Sequence, residues 1–195
     1  LLSDNNAFSY LGQSTKGATV SFGKNVVNIP NYLFYSSTRL NASPKIASIS
    51  FEKDSKTAKI GNYAFSSLTA LVSVTLSDEL TEIGKGVFEG CLSLNNMNVP
   101  FVGKTAVNSV LISGEEHRLS YFFGGAVPAS LKTVTVRKSN IPQKAFYGCD
   151  HIENIELISQ TEVGEWAFAN CSSLKDIYIV DTVKKIGANS FANCS

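Results

Sequence analysis

The chain has 195 residues, with 17 Lys and Arg against 16 Asp and Glu and a formal net charge of +1. Apolar residues make up 44%, enough for a packed core and too many for a disordered chain. The near-neutral balance, with no basic run and no basic amphipathic helix, gives no support for a nucleic-acid or membrane-surface partner.

The opening stretch LLSDNNAFSYLG lacks a basic region and a cleavage-type ending, so it does not read as a signal peptide. No apolar run approaches the roughly 18 residues of a membrane helix. From Ile29 onward one element recurs. It reads IPNYLF at Ile29, IGNYAF at Ile60, IGKGVF at Ile83, IPQKAF at Ile141, VGEWAF at Val163 and IGANSF at Ile186. Consecutive copies, such as Ile60 and Ile83 or Ile141 and Val163, lie 23 or 22 residues apart. A period of this size marks a solenoid.

Each unit carries a second signal of three apolar residues, the last two of them two apart. The sets are Ile46/Ile49/Phe51, Leu71/Val74/Leu76, Leu94/Met97/Val99, Leu131/Val134/Val136, Ile152/Ile155/Leu157 and Leu174/Ile177/Ile179. Alternation over two residues predicts one short strand per unit. Because Pro30 and Pro142 share a slot with Gly61, Gly84, Gly164 and Gly187, that slot does not need positive φ. Pro at this point predicts the opening of a short helix or 3₁₀ turn. Its inner face then carries Phe65 and Leu68, and the pairs Phe88/Cys91, Phe146/Cys149, Phe168/Cys171 and Phe191/Cys194 repeat the arrangement. Phe34, Phe65, Phe88, Phe146, Phe168 and Phe191, with Phe123, are expected to stack as a spine.

Two stretches depart from the period. EKDSKTAK after Phe51 reads as a solvated loop. Between Pro100 and Leu131 the sequence holds about one degenerate unit plus an insertion, predicted to protrude around Ser113 to Arg118. At the far end the chain stops at Cys194-Ser195, partway through a unit, so it reads as an excerpt of a longer protein. A partial cap, or end-to-end pairing of two copies, would cover the apolar edges of the last coil.

The recurring unit resembles the BspA-like leucine-rich repeat, IGxxAFxxCxxLxxIxLPxxVxx, as in VGEWAFANCSSLKDIYIVDTVKKIGANSFANC from Val163. The segment HRLSYFFGGAVPASLKTVTV is similar to the irregular linking repeat of such proteins. Ser37 and Leu68 stand where that pattern has Cys, and its strand-ending Pro occurs only at Pro100. The resemblance covers nearly everything after Tyr10. It implies an α/β solenoid: a right-handed leucine-rich-repeat superhelix with a parallel concave β-sheet and short helical or 3₁₀ turns opposite. Residues 1–195 then form a single domain of about seven 22–23-residue units. It further implies an extracellular or cell-surface location in a bacterium, adhesion to host extracellular proteins such as extracellular-matrix or plasma proteins, contact between bacteria, and no catalytic motif.

The cysteines Cys91, Cys149, Cys171 and Cys194 could be read as a metal or disulfide set. All four sit three residues after a column Phe, in the slot that Leu68 fills, which favours buried apolar thiols. A Cys149–Cys171 bridge is compatible with the roughly 5 Å spacing of neighbouring coils, but parallel Cβ vectors oppose it. No CxxC or His-ligand pattern supports a metal, and no cofactor is expected. Glu115, Glu116, His117 and Arg118 lie together but lack the HExxH spacing; an exposed loop would leave their pKa values ordinary. His151 reads as a surface residue. There is no GxSxG elbow and no SxxK. Asn41-Ala42-Ser43, Asn170-Cys171-Ser172 and Asn193-Cys194-Ser195 fit the glycosylation sequon, the last two inside the repeat element. Trp166 shares its slot with Tyr63, Gly86 and Asn189. It reads either as packing over a neighbouring coil or as a binding residue.

Side chains between the inward apolar ones line the strand face. One column is Ser50, Thr75, Asn98, Thr135, Glu156, Tyr178; the next is Ser48, Ser73, Asn96, Thr133, Asn154, Asp176; the flanking one is Glu52, Ser77, Pro100, Arg137, Ile158, Val180. Thr135, Arg137, Glu156, Ile158, Asp176, Tyr178 and Val180 form the candidate protein-binding patch, because Tyr and Arg beside exposed aliphatics is an interface composition. The competing explanation is that Thr, Tyr and Val favour strands. The sequence thus points to a non-enzymatic protein-binding module of adhesion type. A structural spacer displaying another domain is the alternative. A hydrolase would require a cleft with His117 or His151 beside a carboxylate.

Overall fold

The computed structural model describes residues 11–12, 17–34 and 44–194. The main sheet has seven parallel strands: β1 (Ala18–Phe22), β3 (Ile46–Phe51), β5 (Ser73–Thr75), β7 (Asn96–Val99), β8 (Thr133–Val136), β9 (Asn154–Leu157) and β11 (Asp176–Tyr178), in that spatial order. Strands follow one another in sequence order, so each coil lies beside the next and nowhere else, as in a leucine-rich-repeat solenoid. Two-residue strands make a second ladder at the Ile-Gly element: β2 (Asn28–Ile29), β4 (Lys59–Ile60) and β6 (Glu82–Ile83), then β10 (Glu162–Val163) and β12 (Lys185–Ile186). An isolated parallel bridge, Ile141 to Val163, continues that ladder.

A third set of inter-coil bonds runs along the turns. Tyr63, Phe65 and Ser67 donate their amides to the carbonyls of Lys85, Val87 and Glu89. Lys144, Phe146 and Gly148 donate to Glu165, Ala167 and Ala169, and Trp166, Phe168 and Asn170 to Ala188, Ser190 and Ala192. Alternate amides in each turn therefore all point to the next coil. The backbone achieves this with left-handed residues at fixed places: Tyr32, Tyr63, Gly86, Lys144, Trp166 and Asn189, and four residues later Ser67, Gly90, Gly148, Asn170 and Asn193. Of the short helix or 3₁₀ turn that Pro30 and Pro142 suggested, the regular units form a short hydrogen-bonded turn, and these left-handed steps keep it from extending into a helix. Among the described residues, 3₁₀ helices occur only in the irregular unit, Glu115–His117 and Leu119–Phe123.

The Gly/Pro slot follows from stacking rather than from φ. A Cβ on Gly61, Gly84, Gly164 or Gly187 would lie 2.3 to 2.6 Å from a backbone nitrogen of the preceding coil. Pro30 begins the run of regular turns and Pro142 follows the irregular unit, so neither stacks on a regular Ile-Gly turn.

The core is a single cluster. Phe34, Phe65, Phe88, Phe122, Phe146 and Phe168 are fully buried. Ring centroids are 5.9 Å apart for Phe34 and Phe65, 5.8 Å for Phe65 and Phe88, 5.2 Å for Phe146 and Phe168, and 5.2 Å for Phe168 and Phe191. Phe122 and Phe123 both meet Phe88, at 6.5 and 6.4 Å, so the irregular unit supplies two rings to the spine. Ile186 has a paired strand on one side only and is exposed, whereas Ile60, Ile83 and Val163 of the same column are buried.

The loop after Phe51 is only partly solvated. Glu52, Lys53, Asp54 and Lys56 are exposed, but Ser55 and Thr57 are buried. Thr57 donates to the Val26 carbonyl at 2.5 Å, and Ser77 donates to the Ser55 carbonyl at 3.2 Å. The predicted protrusion at Ser113–Arg118 folds back instead. Lys104 donates its amide to the Glu116 carbonyl at 2.6 Å, and a Cβ on Gly103 would meet that oxygen at 2.5 Å. Ser37 and Asn41-Ala42-Ser43 lie outside the described residues.

Gly164→Ala is expected to lower stability by about 2–4 kcal/mol, the range for forced backbone displacement in a packed region, while Pro142→Ala changes it by less than about 1 kcal/mol. Chemical denaturation of both variants checks this; equal effects would remove the close-approach explanation.

Candidate functional site

The strand face has the register read from the sequence. Asn96, Thr133, Asn154 and Asp176 are successive partners, as are Asn98, Thr135, Glu156 and Tyr178. Tyr178 is 64% exposed and Ile158 45%. Glu156 and Asp176 are exposed, and Thr135 and Val180 are half-buried. Thr135 donates to Glu156 Oε2 at 3.2 Å, so these two neighbours are linked. At the strand entry Glu153 lies between Lys175, 2.7 Å away, and Lys132, 3.4 Å away. The Lys175 hydrogen bond and charge, reinforced by Lys132, hold the Glu153 carboxyl below its usual range.

Arg137 differs from the other patch residues. Its Nε donates to Asp78 Oδ1 at 2.7 Å, its Nη2 to the Leu76 carbonyl at 2.6 Å, and its Nη1 to Asn98 Oδ1. Only 18% of its side chain is exposed. The guanidinium therefore spans two preceding coils, from β8 across β7 to the end of β5, and closes one wall of a depression also lined by Glu52, Asp54 and Ser77. It is a strut rather than a free contact residue. The clue in the sequence was columnar: Arg137 shares its column with Ser77 and Pro100, Asp78 follows Ser77, and an arginine is long enough to cross two strand spacings.

The four cysteines are free thiols, as the Leu68 comparison implied. Cys91, Cys171 and Cys194 donate to the carbonyls of Phe65, Phe146 and Phe168 in the preceding coil, at 3.2, 3.1 and 3.1 Å. Burial pushes the Cys91 and Cys171 thiols up to about 12. Burial pushes Cys149 up as well, aided by the neighbouring Cys171 and Asp150. Such thiols are poor nucleophiles and poor metal ligands, because both roles need the thiolate. No group of three or more His, Cys, Asp or Glu able to hold a metal occurs among the described residues.

His117 is not in open solvent. Its side chain is only 13% exposed, and its Nδ1 is buried without a partner. His151 is on the surface as read, 49% exposed, with Nε2 3.3 Å from Asp150 Oδ1. It lies on the wall of a cleft of about 290 Å³ that Cys149 also lines. The raised thiol there is the opposite of what nucleophilic catalysis requires. Trp166 is 37% exposed and holds a left-handed backbone position, φ 56°. Asn170 is left-handed too, and its Oδ1 accepts from Asn193 Nδ2 at 2.8 Å, so both sequon asparagines serve the turn.

A parallel sheet of sequential strands, a second ladder at the Ile-Gly element and a phenylalanine spine define a leucine-rich-repeat solenoid. A family model for the BspA type leucine rich repeat region matches residues 41–110 and 120–195 in six copies, and the chain belongs to that family. No curated protein matches the chain. Among solved structures, a leucine-rich repeat protein from Bacteroides ovatus is 19% identical, with a TM-score of 0.48, over 90% of this chain and 58% of that one. The leucine-rich repeat protein of T. pallidum is 20% identical, with a TM-score of 0.38, over 86% of this chain and 59% of that one. The pneumococcal vaccine antigen PcpA is 15% identical, with a TM-score of 0.34, over 87% and 58%. The chain spans less than two thirds of the length of each. No helix among the described residues is long and apolar enough to cross a membrane.

Arg137→Ala should lower stability by about 1–3 kcal/mol, because it strips charge-assisted bonds from partly buried acceptors. A denaturation midpoint equal to wild type would show that the strut contributes nothing. In thiol titration at pH 8, Cys91 and Cys171 should stay silent in the native protein and react once denaturant is added; prompt native reaction of either would contradict their burial.

Proposed function

We propose that this chain is a non-enzymatic, protein-binding segment of a bacterial cell-surface or secreted protein, working by adhesion to a host extracellular-matrix or plasma protein. Family membership supports the class, since BspA-type repeats are typically surface-displayed or secreted. Stacked repeats present an extended face whose side chains are free of core duty. The observation that carries the reading is Tyr178, 64% exposed on β11, the last strand of that face, with the exposed Asp176 on the same strand and Glu156 and Ile158 on the neighbouring coil. A large exposed aromatic beside aliphatic and acidic groups is how binding hot spots are built. Thr135 and Val180 complete the patch. Arg137 holds its edge in place rather than meeting the partner.

The test is a binding screen of this segment against host matrix and plasma proteins, with a Tyr178→Ala, Ile158→Ala double variant as control. Saturable binding that falls at least tenfold in the control is expected. Binding that survives the double variant moves the site elsewhere, and silence across the panel favours the spacer reading. Light scattering of the same samples reports end-to-end pairing as mass that rises with concentration; a fixed monomer mass removes that contact.

A further inference from the structure

The sheet runs unbroken, but along the described residues three other regularities of the stack lapse together at one place. Ring contacts run from Phe34 to Phe122 and again from Phe146 to Phe191, with none joining the two runs. Cys149 alone among the four thiols has no carbonyl of the preceding coil to donate to. A Cβ on Gly125 or Gly148 would meet nothing within 4 Å. Between the irregular unit and the next regular turn lies the cleft of about 290 Å³, on a different side from the Tyr178 patch.

Arg118 lines this cleft. Its guanidinium has no hydrogen bond or ion pair with any described residue, and its Nε is sealed from solvent without an acceptor. The contrast with Arg137, which meets three acceptors, is complete. The acid on the cleft wall, Asp150, faces His151, with Oδ1 3.3 Å from Nε2, and makes no pair with Arg118. A partly desolvated arginine without a counter-charge is costly to hold, and buried groups left unpaired call for an explanation. Val127, with the exposed Ala126 and Tyr147, gives the cleft an apolar wall beside that charge. The volume lies at the low end of binding cavities, room for one side chain with its flanking backbone.

We propose that this cleft is a second docking site, which takes an acidic side chain from a peptide segment of a partner protein. The carboxylate would sit on the Nη groups of Arg118, whose planar fork matches it. The neighbouring residue of the segment would lie against Val127 and Tyr147.

The experiment is a titration of the ¹⁵N-labelled chain with the blocked dipeptide Ac-Leu-Glu-NH2, and with Ac-Leu-Gln-NH2 as its uncharged match. The expected result is saturable amide shifts at Val127, Gly148 and Cys149 with the acidic peptide, and at least tenfold weaker binding of the amide. Arg118→Gln should abolish the difference, and Arg118→Lys should restore part of it. Absence of saturable shifts at these amides, or equal affinity for the two peptides, overturns the proposal. If Arg118→Gln does not fold, the comparison of the two peptides on the wild-type chain decides alone. The outcome is independent of the Tyr178 patch, so either site can fail without the other.

Discussion

Everything in this structure depends on holding successive coils one backbone hydrogen-bond spacing apart, roughly 4.8 Å. Three ladders maintain that spacing: the seven-stranded sheet, the two-residue strands at the Ile-Gly element, and the alternate amides of the turns. The second ladder leaves no room for a Cβ where one regular turn rests on another, which fixes Gly61, Gly84, Gly164 and Gly187. The third requires left-handed backbone, at roughly 1–2 kcal/mol for each residue with a side chain. Tyr63, Lys144 and Trp166 carry that strain because each also donates its amide to the neighbouring coil. Tyr32 and Tyr63 also stack, with centroids 5.3 Å apart and planes 10° apart.

Such a frame divides the side chains into two classes. Those aimed inward must repeat in kind, so that each ring of the spine meets the next. Those aimed outward are released from the period and can vary. Arg137 shows a third behaviour: an outward residue recruited to tie three coils together across the sheet edge. Its bonds combine a charged pair with a backbone carbonyl and an amide. The carbonyl and amide contacts give it more weight than an exposed ion pair, since such pairs contribute little alone.

What was legible in the sequence was whatever recurs. The apolar triplets gave the strands and their register, and the Phe column gave the spine, because each copy was checked against the others. The Leu68 comparison read the cysteines correctly for the same reason. Pro142 marked the opening of the short turn, but the left-handed residues within it leave a weak trace, because Tyr, Lys, Trp, Gly and Asn all occupy the slot. Arg137, His117 and the folded-back Glu115–His117 turn each occur once. A residue that occurs once has no like copy to compare with: the contacts of the Glu115–His117 turn come from the path of the chain between β7 and β8, and those of Arg137 from the neighbouring strands of the sheet.

That same uniqueness bears on recognition. A solenoid of equal repeats offers a partner several near-equivalent registers, each differing by one coil. Affinity for one register then has to come from residues that break the period. The Arg118 cleft belongs to the stretch that breaks it, Arg137 follows the next strand, β8, and Tyr178 and Ile158 stand two and one strands beyond β8 in the sheet. In the proposed binding role, the irregular unit would supply the mark that sets a partner's register along the face. Replacing it with a regular repeat would preserve the ladders and the spine, and would remove the feature that makes one position on the solenoid different from the next.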